Sequence, residues 1–247
     1  MKKIFIDPGH GGGSIGATYK GRREQDDCLR LSFAVRDILL TQEEISVKMS
    51  REDNSNPSIS NRCADANLWG ADYFLSIHRN AYVPNIANGV EAWVYSKVAV
   101  CGDTFSKADN IVTKICENTP FADRGTKLGA PSYKDYGVNS LTKMSSCLLE
   151  VGFIDSVSDN AIFDSYFAEI ALEIAKAIME NVGLEYKPPI IKGDADGDGK
   201  ITSADARLIL RASVGLEEIP LEIADVDGDG KVTSADSREV MRQSVGL

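Results

Sequence analysis

The chain of 247 residues contains two histidines, His10 and His78, and each stands where a hydrophobic run gives way to a polar loop. Imidazole is the commonest side-chain metal ligand and a frequent one for catalytic zinc, so the placement raises a metal site as a hypothesis. Asp7-Pro8-Gly9-His10-Gly11-Gly12 sets the first histidine in a glycine-rich turn whose small residues leave room for a metal and a bulky substrate. The same residues also make an ordinary turn with a solvated imidazole. Ser76-Ile77-His78-Arg79-Asn80-Ala81 ends a second run with His78, which taken alone also reads as a strand-end histidine. Glu24 opens a helix-like stretch and in isolation is a charge complementing the helix dipole. Glu150 lies inside Leu148-Leu149-Glu150-Val151-Gly152-Phe153-Ile154, where a buried carboxylate is costly unless a basic neighbour or a metal-bound water faces it.

A second chemistry occupies the C-terminal end. The segment beginning at Asp194 repeats itself from Asp225, 31 residues later, and each copy carries Asp at loop positions 1, 3 and 5, Gly at 6, Thr at 9 and Asp at 12. That is the spacing of an EF-hand calcium loop, in which oxygens converge on a hard cation and position 6 turns sharply. The expected ligands are Asp194, Asp196, Asp198, the Lys200 carbonyl, Thr202 and Asp205 for one calcium, and Asp225, Asp227, Asp229, the Lys231 carbonyl, Thr233 and Asp236 for the other. Four like charges repel in each empty loop, so calcium is expected to be structural.

Residues 3–6, 45–49, 73–77, 90–95 and 147–151 are short β-branched or aromatic-rich runs that predict strands. Helical spacing appears over 29–39, 60–69, 103–116 and 163–182. The alternation predicts an α/β fold, a mixed central sheet flanked by helices, in which ligands gather at the carboxyl ends of strands. The pattern stops at Gly183, and the Pro188-Pro189 pair marks an extended spacer. The expected organisation is a domain over 1–184, a linker over 185–193 and a small all-α calcium module over 194–247.

A net charge of −10 argues against nucleic acid as a partner, and residues 194–247 alone hold eight Asp and four Glu against two Lys and four Arg. No apolar run approaches the roughly 18 residues of a membrane span, so no membrane insertion is expected. Met1-Lys2-Lys3-Ile4-Phe5-Ile6 starts like a signal peptide, but Asp7-Pro8 cuts the apolar stretch short of the roughly 7–15 residues required. Five cysteines without CxxC spacing read as reduced thiols, and the expectation is a chain cytoplasmic as synthesised.

The duplicated tail resembles the type I dockerin, a loop-helix module, over about 54 residues; no helix is available before Asp194 to complete a true EF-hand. The resemblance implies two calcium ions and a cohesin partner, with Ser203-Ala204 and Ser234-Ala235 at positions that help set cohesin choice; self-association is the other expected use. Thr at position 9 departs from the more usual Asn or Asp.

DPGHGG, Glu24 followed by Leu29, Arg62 with Ala66-Asn67 and Ala71-Asp72 leading into SIHRNA, and EVGFI together resemble the zinc-dependent N-acetylmuramoyl-L-alanine amidases of the amidase-3 family. The resemblance implies that His10, Glu24 and His78 hold one catalytic zinc, that Glu150 is the catalytic glutamate, and that peptidoglycan is the substrate. Arg79 stands where the family usually has a small or polar residue, and it and Arg22-Arg23 could meet stem-peptide carboxylates or remain solvated charges. The expected role is a phage endolysin acting on the wall after release, the alternative a cell-wall amidase tethered through its dockerin to a cohesin-bearing extracellular scaffold.

Overall fold

The computed structural model describes residues 1–132 and 134–246. The chain divides into two compact units, Met1–Tyr186 and Lys187–Leu247.

In the first unit, strand β1 (Lys2–Pro8) leads through a glycine-rich turn and a hairpin, β2 (Thr18–Tyr19) with β3 (Arg22–Arg23), into helix α1 (Glu24–Leu40). There follow β4 (Ile45–Met49), α2 (Ile59–Trp69), β5 (Tyr73–Asn80), β6 (Val90–Val94), α3 (Asp103–Asn118), β7 (Asp123–Leu128), α4 (Gly137–Ser140), β8 (Ser145–Phe153), α5 (Val157–Ser165) and α6 (Phe167–Asn181). Six strands form one sheet in the order β4-β1-β5-β8-β6-β7. The first four run parallel, β6 is antiparallel to β8, and β7 is parallel to β6. The sheet is mixed, as expected.

Side chains alternate along each strand, so the two faces build different cores. Ile4, Ile6, Leu75, Ile77, Leu149 and Val151 pack under α1, α3 and α6. Phe5, Phe74, Leu148 and Trp93 pack with Cys63 and Ala66 of α2 and Val138 of α4. With both faces covered, the central strands are apolar runs rather than polar alternations. A polar residue on them therefore stands out.

The five expected strands are all present, most of them longer than their apolar kernels. Strand β7 was not expected: its sequence, Asp-Arg-Gly-Thr-Lys-Leu, is that of a sheet edge, where charge and a register shift are tolerated. The single helix expected over 163–182 is two, because the chain breaks at Tyr166, which caps α5 and opens α6. All five cysteines are free thiols. No helix among the described residues is long and apolar enough to cross a membrane.

The second unit holds α7 (Ser203–Ala212), α8 (Leu221–Ala224) and α9 (Ser234–Ser244) around a small core of Ala206, Ile209, Ala224 and Val240. Both long helices start with a reciprocal capping box, Thr202 with Asp205 and Thr233 with Asp236. Residues 187–193 carry no helix ahead of Asp194.

Candidate metal centre and active site

Strands β1, β5 and β8 are adjacent and parallel, so their carboxyl ends meet on one edge of the sheet. His10 follows β1, His78 lies near the end of β5, and Glu150, in register with His78, sits on β8. Glu24 is the first residue of α1. The four line one cavity of about 560 Å³, within the range of small-molecule sites.

Ligand atoms of His10, Glu24 and His78 lie within 4.8 Å of one another. His10 Nε2 is 3.1 Å from Glu24 Oε2, and His78 Nδ1 is 2.9 Å from Glu24 Oε1. Four-coordinate zinc with nitrogen and oxygen ligands at about 2.0–2.1 Å has ligand-to-ligand edges of about 3.3–3.4 Å, so the donor set fits such an ion with little movement. The Ser14 hydroxyl lies 3.3 Å from His10 Nδ1, which leaves Nε2 pointing at the cluster. Glu24 also accepts hydrogen bonds from the Ala17 amide (2.8 Å) and the Arg79 amide (3.1 Å). Burial alone would raise its pKa, but the hydrogen bonds with His10 and His78 outweigh that and hold the carboxyl far below the usual range.

Glu150 is in the opposite state. Burial first, then the charges of Glu24 and Glu91, push its carboxyl well above the usual range, with Arg79 opposing. Its Oε2 is buried with no hydrogen-bond partner among the described residues. An unpartnered carboxylate oxygen is costly, and the cluster across the cavity is where a compensating cation or polarised water belongs.

The turn bearing His10 is held from behind. Arg51 donates to the carbonyls of Pro8 (3.1 Å) and Gly9 (2.7 Å), and Arg62 to those of Pro8 (2.7 Å) and His10 (2.8 Å). Arg62 is also paired with buried Asp7 at 2.7 Å. This anchoring keeps His10 at φ 61, a left-handed conformation rare outside glycine. Arg51 had no distinguishing local pattern, since its role depends on a contact 42 residues away.

Arg22, Arg23 and Arg79 each pair with carboxylates of this chain. Arg22 makes two bonds to Asp164, at 2.9 and 2.8 Å, and one to Asp27 at 2.6 Å. Arg23 pairs with Asp26, and Arg79 is buried against Asp27. Arg22 and Arg79 are therefore neither solvated nor free binding groups, whereas Arg23, half-exposed and paired with an equally exposed Asp26, fits the reading of a solvated surface charge.

In the second unit, carboxylate oxygens of Asp194, Asp196 and Asp205 come within 4.8 Å of one another, as do those of Asp225, Asp227 and Asp229. Asp205 accepts from the amides of Ala195, Asp196 and Thr202, and Asp236 from those of Val226, Asp227 and Thr233. Asp198 Oδ1 receives the Lys200 amide at 2.8 Å, and Asp229 Oδ1 the Lys231 amide at 2.8 Å. Thr202 and Thr233 turn their hydroxyls to the helix amides of Ala204 and Ala235.

Residues 4–180 match the N-acetylmuramoyl-L-alanine amidase family, and residues 192–243 match the dockerin type I domain. The amidase CwlM of Bacillus licheniformis is 34% identical over 84% of this chain and 82% of its own length. The endolysin of Bacillus phage SPP1 is 30% identical over 75% of this chain and 68% of its own. An N-acetylmuramoyl-L-alanine amidase structure from Clostridium difficile 630 superposes with a TM-score of 0.67 at 29% identity, covering 73% of this chain and 96% of that one. The cavity and its carboxylate-histidine cluster thus sit in a fold shared with wall amidases: the chain belongs to the N-acetylmuramoyl-L-alanine amidase family and carries a type I dockerin domain at its C-terminus.

Proposed function

We propose that the protein is a zinc-dependent peptidoglycan amidase in which His10, Glu24 and His78 hold one zinc ion and Glu150 is the general base. Glu150, with a buried Oε2 that has no hydrogen-bond partner among the described residues, lines the same cavity as the three-ligand cluster, and this carries the reading. When bound, zinc supplies a Lewis acid for the scissile carbonyl and lowers the pKa of a water toward about 7. Glu150 accepts the proton of the attacking water and delivers it to the departing L-alanine amine. Ser14 steadies the His10 ring through Nδ1, and Glu24 is held in place by the amides of Ala17 and Arg79. Digestion of purified peptidoglycan with zinc present is expected to release new L-alanine amino termini, which chelation abolishes, and no new reducing sugars. New reducing ends would sink the assignment.

The biological role we propose is that of an endolysin, made in the cytoplasm and reaching the wall after release; the similarity to the SPP1 endolysin supports it. The dockerin match favours a second reading, a wall hydrolase held by a cohesin-bearing scaffold. A calcium-dependent pulldown with a cohesin separates the two.

The acidic loops hold two structural calcium ions in this proposal. Calcium at about 100 times its Kd is expected to stabilise the second unit by about 2.7 kcal/mol per site. Asp194→Ala and Asp225→Ala should each remove one share, read as a lower calcium-dependent rise in melting temperature by circular dichroism. A melt indifferent to calcium would refute the loops as ion sites.

A further inference from the structure

Arg79 follows a candidate metal ligand directly, yet its side chain is 1% exposed and turns away from His78 toward α1 and α5. A guanidinium in so dry a place is costly unless paired, and both of its terminal nitrogens are, while its buried Nε has no hydrogen-bond partner among the described residues. Its Nη1 donates to Asp27 of α1 at 2.7 Å, and its Nη2 to Asn160 of α5 at 2.8 Å. Its Cζ lies 4.1 Å from the ring centroid of Phe163, a cation–π contact. Its backbone amide donates to Glu24 Oε1 at 3.1 Å. One residue of β5 therefore grips α1 at two points a single turn apart, Glu24 through the main chain and Asp27 through the side chain.

Glu24 and Asp27 share a helix face, being three residues apart. Fixing both prevents α1 from rotating about its axis, and that rotation sets where the Glu24 carboxylate lies relative to His78. Asp27 is in turn held by Arg22 at 2.6 Å, and Asn160 by its own bond to the Ile154 carbonyl at 2.7 Å, so the strut ends on groups that are themselves placed. We infer that Arg79, with Asp27 and Asn160, is a positioning device that locks the Glu24 helix against the His78 strand and so presets the metal-ligand geometry. This rests on the metal-site reading of His10, Glu24 and His78.

Lysine at position 79 keeps the charge but offers no planar fork to span Asp27 and Asn160 together. Arg79→Lys and Asp27→Asn are expected to weaken zinc binding by about 10- to 100-fold in chelator competition, the range of outer-shell changes at zinc sites. Both should also shift the visible absorption of the cobalt(II)-loaded protein, which reports ligand geometry without turnover. Glu180→Gln, which alters an exposed partner of Lys114 in the last turn of α6 and bonds to none of Glu24, Asp27, Arg22 or Asn160, is the control and should bind zinc within twofold of wild type. Thermal melts verify that each variant is folded. Folded Arg79→Lys and Asp27→Asn proteins with wild-type zinc affinity and cobalt spectra would overturn the inference. A wild-type protein that binds no zinc would instead remove the metal reading, and this inference with it.

Discussion

Glu150→Gln is expected to retain zinc and fold while losing about 10²- to 10⁴-fold in kcat, the usual contribution of general acid–base catalysis. The substitution preserves shape and leaves His10, Glu24 and His78 untouched. It removes only the capacity to take a proton. Because burial and the charges of Glu24 and Glu91 already disfavour the ionised carboxyl, a neutral amide there costs the metal-free fold nothing electrostatically. The melting temperature without zinc should therefore equal or exceed that of wild type. Metal content, melting temperature and kcat on purified peptidoglycan together check the role, and near-native kcat in a zinc-loaded variant would show that the proton goes elsewhere.

Gly16→Ala is expected to weaken zinc binding by about 10- to 100-fold and to cost about 1–2 kcal/mol of stability. Gly16 is at φ +72, and a Cβ built there meets Glu24 Oε2 at 2.5 Å and His10 Cδ2 at 2.7 Å. Both neighbours are members of the proposed metal cluster, so relieving the clash displaces a proposed ligand. Gly9→Ala attacks the third member, because its Cβ would meet the His78 ring at 2.5 Å. Gly13, in the same turn, has open space around its Cβ position and no positive φ, so Gly13→Ala should change neither quantity. Chelator competition and calorimetry read both effects. Equal zinc affinity in Gly13→Ala and Gly16→Ala would contradict the packing of the ligands against the turn.

Much of the candidate site was legible because its residues mark transitions. His10 and His78 end apolar strands, and Glu150 interrupts one, so each breaks a pattern visible within ten residues. The acidic loops were clearer still, since a calcium loop takes most of its ligands from one short segment at set offsets. Gly16 carries no such local mark. Its importance comes from two side chains that fold over it, and a glycine among glycines gives no sign of that. Strand β7 was hidden for a related reason: an edge strand pairs through its backbone and needs no apolar pattern.

Sequence by itself determined the α/β alternation, the candidate ligand residues and the duplicated acidic loops of a C-terminal dockerin-type segment, because each follows from residue type and short-range spacing. Only the tertiary structure decided which charges belong together. The strand order β1-β5-β8 brings His10, His78 and Glu150 to one cavity, and α1 delivers Glu24 between the histidines. The same packing takes Arg22 and Arg79, which as sequence are simply cations near the site, and commits them to Asp27 and Asp164. The physical reason is that burial makes an unpaired charge costly, so its partner is chosen by what the fold places beside it, here 52 and 142 residues away.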